Sequence, residues 1–169
     1  MRILIPAEQI QQRVAELAQR IALDYAERPL TIVGVLTGSL MFLADLVRHL
    51  DLHLRIGFIQ ASSYRGETTR AGLLTIGPEL LPEVRGRHVL LLDDILDTGQ
   101  TLHRLVEHLQ GLGAASIRTA VLLRKQGRQL VPFEPDYTGF EIPDAFVVGY
   151  GLDYNDELRH LPNIAVLEC

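Results

Sequence analysis

The sequence predicts an α/β fold, a mostly parallel sheet flanked by helices, and two observations carry that prediction. Short apolar runs of strand length alternate along the chain with longer amphipathic stretches of helical period. Several of the runs, such as Leu30 to Leu36 and Val89 to Leu92, are apolar almost throughout, as strands covered on both faces are.

From Ala7 to about Glu27, Ile10, Val14, Leu17 and Ile21 recur at helical spacing between charged and amide residues, which predicts an amphipathic helix. Leu30 to Leu36 reads as a strand ended by Thr37-Gly38-Ser39, and Leu40 to Leu50 as a second helix. Leu52, Leu54, Ile56 and Phe58 alternate with His53, Arg55 and Gly57, predicting a strand with one face more buried than the other. Ser62 to Gly72 is polar and aperiodic and is expected to be a loop with a functional use. His88 to Leu92 is the next strand; Leu102, Leu105, Val106, Leu109 and Leu112 mark one face of the helix after Thr98, and Gly113 marks its stop. Ile117 to Leu123 is a further strand. Short apolar segments at Phe146 to Tyr150 and Ile164 to Leu167 follow a proline-rich stretch.

With 169 residues, nearly half of them apolar, the chain can bury the core of one domain, residues 1–169, without a disulfide or structural metal. The one cysteine is Cys169, which fits a reducing cytoplasm. Met1 to Pro6 has no basic-then-apolar leader pattern and no segment is apolar for long enough to span a bilayer, so neither secretion nor membrane insertion is expected. The net charge of −5 is spread without a basic block, which argues against general nucleic-acid binding. All but one of the basic residues are arginine, and the exception is Lys125.

The most informative segment is Val89 to Leu102, VLLLDDILDTGQTL, a buried strand running into two carboxylates, a small-residue turn and a helix. Ligands of open α/β sheets sit beyond the carboxyl ends of the strands, where a helix N-terminus presents unpaired N–H groups. Thr98, Gly99, Gln100 and Thr101 can wrap a phosphate with amides and hydroxyls. Asp93 and Asp94 would repel that phosphate; their natural ligands are sugar hydroxyls or a hard cation such as Mg²⁺. A ribose carrying a 5′-phosphate with a magnesium-bound diphosphate nearby meets all three demands. The dinucleotide and nucleoside-triphosphate glycine patterns do not occur. A phospho-acceptor receiver domain would leave the phosphate loop unexplained.

This segment resembles the phosphoribosyl pyrophosphate motif of type I phosphoribosyltransferases. A second run, Gly139 to Asn155 (GFEIPDAFVVGYGLDYN) followed by RHLP at Arg159 to Pro162, resembles the hypoxanthine-guanine members of that family, as does VLTGSLMFLADL at Val35 to Leu46. The resemblance implies the type I fold with a small hood built from terminal segments. It also implies a Mg²⁺-dependent transfer of the phosphoribosyl group to hypoxanthine or guanine, giving IMP or GMP in purine salvage.

On the same basis Phe146 stacks on the purine, Val147 reads the base edge with its backbone, and Lys125 donates to the oxygen at position 6. A cationic donor there favours a keto oxygen over the amino group of adenine. Asp153 lies near the second magnesium ion and the base, with Asp93 and Asp94 as the other metal-associated carboxylates, and Arg159 serves the pyrophosphate. Asp97, at the end of the turn near the base, is the expected general base. Ser63 and Tyr64 match the Ser-Tyr pair of the family's mobile catalytic loop. Thr37 and Gly38 belong to the pyrophosphate loop; many relatives carry a lysine or arginine in place of Thr37, and a strained or cis Leu36–Thr37 peptide is implied. A homodimer or homotetramer is the family expectation. The rival readings are a regulatory sensor that binds RNA and a transferase preferring xanthine.

Overall fold

The computed structural model describes residues 1–64, 73–77 and 80–168. Twelve elements follow one another as β1 (Arg2–Ile5), α1 (Ala7–Asp24), β2 (Leu30–Leu36), α2 (Leu40–Val47), β3 (Leu54–Tyr64), β4 (Leu73–Gly77), β5 (His88–Leu96), α3 (Gln100–Gly111), β6 (Ser116–Lys125), β7 (Tyr137–Ile142), β8 (Val147–Val148) and β9 (Ile164–Val166). The main sheet has the order β4-β3-β2-β5-β6-β7. β3, β2, β5, β6 and β7 are parallel, and β4 adds an antiparallel edge.

Alternation along each strand splits the core in two. Leu30, Ile32, Leu90, Leu92, Ala120 and Leu122 face α1 and α2, while Val33, Val35, Val89, Leu91 and Val121 face α3 through Leu102, Leu105 and Leu109. Both faces are thereby covered, which is why the strands read as apolar without a break. Burial of each such side chain contributes about 1.5–3 kcal/mol.

Helix α1 ends at Asp24, before the expected Glu27, whose φ of 62° lies in the left-handed region. Helix α2 stops at Val47 and α3 at Gly111, with Gly113 at φ 90° just beyond.

Three strands differ from the sequence expectation. β5 runs on to Leu96, so Asp93 and Asp94 lie inside the strand; the ladder with Val121, Leu123 and Arg124 of β6 needs backbone groups only, not apolar side chains. Ser62, Ser63 and Tyr64, expected in a loop, continue β3 opposite Thr75, Leu74 and Leu73, because β4 supplies hydrogen-bond partners. Residues 65–72 of that expected loop lie outside the described residues. The proline-rich stretch contains β7, whose Tyr137, Thr138 and Phe140 are strand formers between Pro135 and Pro143.

The terminal segments meet in a separate antiparallel sheet of order β1-β9-β8, with Arg2 opposite Val166 and Val147 opposite Val166 on the other side. In the main sheet, β2 is followed in the chain by its neighbour β3 on one side and lies against β5 on the other. That switch point opens a crevice at the carboxyl ends, where Thr37-Gly38-Ser39 and Asp93 to Gly99 come out side by side.

Candidate active site

At the end of β5 the two carboxylates are held by their own backbone. The Asp94 N–H donates to Asp93 Oδ1 at 2.9 Å, and the Ile95 N–H donates to Asp94 Oδ1 at 2.7 Å. Asp93 is 9% exposed. Burial, with the Asp94 charge beside it, pushes the Asp93 carboxyl well above the usual carboxylate range. Burial raises Asp94 as well, opposed by its hydrogen bonds to Asp93 and backbone N–H groups and by the Arg159 charge. The two carboxyls stand side by side at the strand end, a concentration of negative charge that a cation or a set of hydroxyl donors would relieve.

Beyond the pair, Thr98 and Gly99 turn into α3. Gly99 takes φ 87° and has no side chain with which to cap the helix, so the first-turn N–H groups lack the capping partner of an ordinary helix start. The Gln100 N–H lies 3.4 Å from Thr98 Oγ1. Asp93 to Gly99, Thr101 and Leu102 line a cleft of about 250 Å³. The turn is braced from behind, since the Leu130 and Val131 N–H groups donate to the Thr98 carbonyl at 2.9 and 3.4 Å.

Asp97 stands at the other end of the turn among cations. Arg128 Nε donates to its Oδ1 at 3.0 Å, and Lys125 Nζ lies 3.6 Å from its Oδ2. Both cations also approach Asp144 Oδ1, each at 3.8 Å. The Lys125 side chain, on the last residue of β6, is only 12% exposed.

Phe146 is half-exposed and forms a T-shaped pair with Tyr154, 6.0 Å between ring centres and 89° between planes. The Leu167 N–H donates to the Phe146 carbonyl at 2.9 Å. In an antiparallel ladder this makes the next pair, Val147 with Val166, the one without mutual hydrogen bonds, so the Val147 N–H and C=O point to the open edge of β8.

On the third side, the cis Leu36–Thr37 peptide leads into Thr37-Gly38-Ser39. A Cβ at Gly38 would overlap Asp94 Oδ2, and one at Gly151 would overlap the Gly38 carbonyl oxygen. Arg159 Nη1 donates to the Gly151 carbonyl at 2.6 Å, while Nη2 lies 3.5 Å from Asp153 Oδ1 and 3.6 Å from Asp156 Oδ1. Gly38, Asp94, Asp153 and Arg159 thus form one contiguous set. Among the described residues no group of three or more His, Cys, Asp or Glu side chains is placed to hold a metal ion by itself. The side chains of Ser63 and Tyr64 lie outside the described part.

The family model of the phosphoribosyl transferase domain matches residues 6–155. This chain belongs to the phosphoribosyltransferase family. Among its phosphoribosyltransferase relatives, the hypoxanthine-guanine phosphoribosyltransferase of Streptococcus pneumoniae is 42% identical over 99% of this chain and 93% of that protein. The enzyme of the same name from Aquifex aeolicus is 41% identical over 99% of this chain and 95% of its own length. Of solved structures, a hypoxanthine-guanine phosphoribosyltransferase of Bacillus anthracis superposes with a TM-score of 0.91 at 37% identity, covering 99% of this chain and 98% of that one. A hypoxanthine phosphoribosyltransferase of Staphylococcus aureus gives 0.92 at 41% identity, covering 99% and 91%.

Sequence reasoning missed four contributors: Arg128 and Asp144 around Asp97, and Leu130 and Val131 behind the Thr98-Gly99 turn. Arg128 is a charged loop residue in no quoted motif, Asp144 lies within the Gly139 to Asn155 run but was given no role, and the last two act through backbone N–H groups that any residue but proline could supply.

Proposed function

We propose that this protein transfers the 5-phosphoribosyl group of phosphoribosyl pyrophosphate to hypoxanthine or guanine, giving IMP or GMP and pyrophosphate. The observation that carries the choice of base is the pairing of Lys125 with Asp97 beside the Asp93–Asp94 strand end. A 6-oxopurine presents an acceptor at O6 next to the N7 proton, and Lys125 with Asp97 presents a donor next to an acceptor. Adenine, with an amino group facing Lys125, would leave two donors opposed.

In this reading Thr98, Gly99, Gln100 and Thr101 hold the 5′-phosphate at the start of α3. Phe146 stacks on the ring, and Val147 meets its edge from the open side of β8. As the bond to pyrophosphate loosens, positive charge grows on the ribose and negative charge on the leaving group. Arg159 and the Thr37-Gly38 backbone stabilise the latter, and Asp97 accepts the purine's imidazole proton. Ser63 and Tyr64 belong to a segment that closes over the reacting atoms.

Mg²⁺ fits the donor set, because Asp93 and Asp94 offer only carboxylate oxygens, the ligands a hard cation takes, on adjacent residues at the strand end. Asp93 and Asp94 on the ribose side and Asp153 on the base side would hold it, and when bound it neutralises the pyrophosphate leaving group. Few protein ligands suit an ion that keeps its waters and takes phosphate oxygens from the substrate. No described helix is long and apolar enough to cross a membrane, and a cytoplasmic homodimer or homotetramer completes the reading.

The test is pyrophosphate release with Mg²⁺ and hypoxanthine, guanine, xanthine or adenine supplied separately, with Lys125→Ala alongside. Turnover is expected with hypoxanthine and guanine and not adenine, and the variant should lose about 10- to 150-fold in kcat/KM, the worth of a hydrogen bond to a charged donor. Turnover with adenine, or no turnover with any base, would overturn the assignment.

A further inference from the structure

The parts assigned above to the diphosphate come from three distant segments, residues 37–39, 149–153 and Arg159, and one side chain joins them. Tyr150 is 4% exposed and has φ 49°, between Gly149 at 97° and Gly151 at 101°. A bulky residue in the left-handed region persists only where its surroundings over-determine it. Here they do. The Tyr150 hydroxyl donates to Asp45 Oδ2 at 2.5 Å, and its N–H donates to the Leu161 carbonyl at 2.8 Å.

Asp45 belongs to α2, the helix that starts directly after Thr37-Gly38-Ser39. Its Oδ2 also accepts from Gln11 Nε2 of α1 at 3.1 Å, and Arg48 Nη2 lies 3.7 Å from Oδ1, so the carboxylate is fixed from both helices. Burial, then the Asp45 hydrogen bond, push the Tyr150 phenol upward, so it remains a donor throughout the working range of an enzyme. One residue further on, Gly151 packs against the Gly38 carbonyl and accepts from Arg159. The chain of contact therefore runs from α2 through Tyr150 to Gly151, and from there to both Gly38 and Arg159.

We propose that Tyr150 and Asp45 are positioning residues for the diphosphate half of the site: their hydrogen bond ties the 149–153 turn to α2 and thereby sets Arg159 and the Gly38 backbone at a fixed separation. The proposal rests on the phosphoribosyl transfer reading. It also answers a feature of this chain, since Thr37 brings no charge to the pyrophosphate loop. A diphosphate held by backbone groups and one guanidinium depends on their alignment more than one clasped by a flexible lysine.

The experiment compares the full-length wild type with Tyr150→Phe, Asp45→Asn and the double variant. Calorimetric Kd values are taken for phosphoribosyl pyrophosphate with Mg²⁺ and for IMP, which lacks the diphosphate. KM is measured for each substrate, and melting is recorded throughout. Each single variant is expected to weaken phosphoribosyl pyrophosphate about tenfold in Kd and KM, with IMP and hypoxanthine changed less than about twofold, and the double variant should match the singles. Equal weakening of IMP, additive losses in the double variant, or a lower melting temperature with unchanged phosphoribosyl pyrophosphate affinity would overturn it. Tyr150→Phe keeps the ring volume and decides the matter where Asp45→Asn does not fold. Wild-type protein that fails to bind phosphoribosyl pyrophosphate sinks the functional reading, whereas a failed clamp leaves wild-type turnover intact.

Discussion

Asp93 and Asp97 stand on the same short segment, yet the protein treats them in opposite ways. Asp93 is buried beside a second carboxylate and has only backbone and Asp94 as partners, so it is pushed towards its protonated form. Asp97 is partly exposed and flanked by Lys125 and Arg128, both supplied by β6 and the loop after it. The fold thus sets two cations beside Asp97, whereas the described partners of Asp93 include no cation and only Asp94 of the pair feels one, Arg159. Neutralising Asp93 and Asp94 internally would remove the reason for a ligand to bind there.

The sharpest way to break this contrast is Asp97→Asn. Loss of general-base assistance should cut kcat by about 10²- to 10⁴-fold. IMP affinity should hold within a few-fold, and a near-normal kcat would remove Asp97 from the chemistry.

A second change separates stability from binding. Because the folded-state pKa of Asp93 is raised, the unliganded protein binds more protons folded than unfolded, and it loses stability as pH rises from the ordinary carboxylate range towards the raised value. Asp93→Asn should therefore melt higher than the wild type near neutral pH and lose that advantage below about pH 4, where the wild-type pair is protonated in both states. It should also weaken binding of phosphoribosyl pyrophosphate. A lower melting temperature for Asp93→Asn at neutral pH would contradict the picture of an unrelieved pair.

The smallest effect belongs to Arg128→Gln. Its pairing with Asp97 is half-exposed and screened, so steady-state KM for hypoxanthine should move by only about twofold to fivefold. A collapse of turnover as deep as that of Asp97→Asn would promote Arg128 from neighbour to participant.

The β5–α3 segment was readable from sequence because each step there is a local rule: an apolar run, a carboxylate pair, a glycine turn and an amphipathic helix within Val89 to Leu112. That the ligand end lies beyond the carboxyl ends of the strands was readable too, but the adjacency of β2 and β5 that makes the crevice was not. What stayed hidden was non-local. β7 was obscured by flanking prolines and was read only as part of a motif. Arg128 and Asp144 become meaningful only when β6 brings Lys125 up to Asp97. The extension of β5 through Asp93 and Asp94 depends on a ladder with β6 that side-chain polarity does not reveal. Likewise, Tyr150 looked like one aromatic in a family motif, and only its hydroxyl's partner on α2 gives it a separate role.

The small sheet β1-β9-β8 carries a consequence for the order in which the molecule becomes complete. Val147 sits on β8, and β8 is joined to β1 only through β9, residues 164–166. Among the described strands β9 comes last in the chain, whereas the turn between β5 and α3 has its main-sheet neighbours once β6 and β7 have emerged. The nascent chain therefore completes the turn between β5 and α3 before the β8 edge that carries Val147, and a fusion or trimming next to β9 will be felt first at that edge.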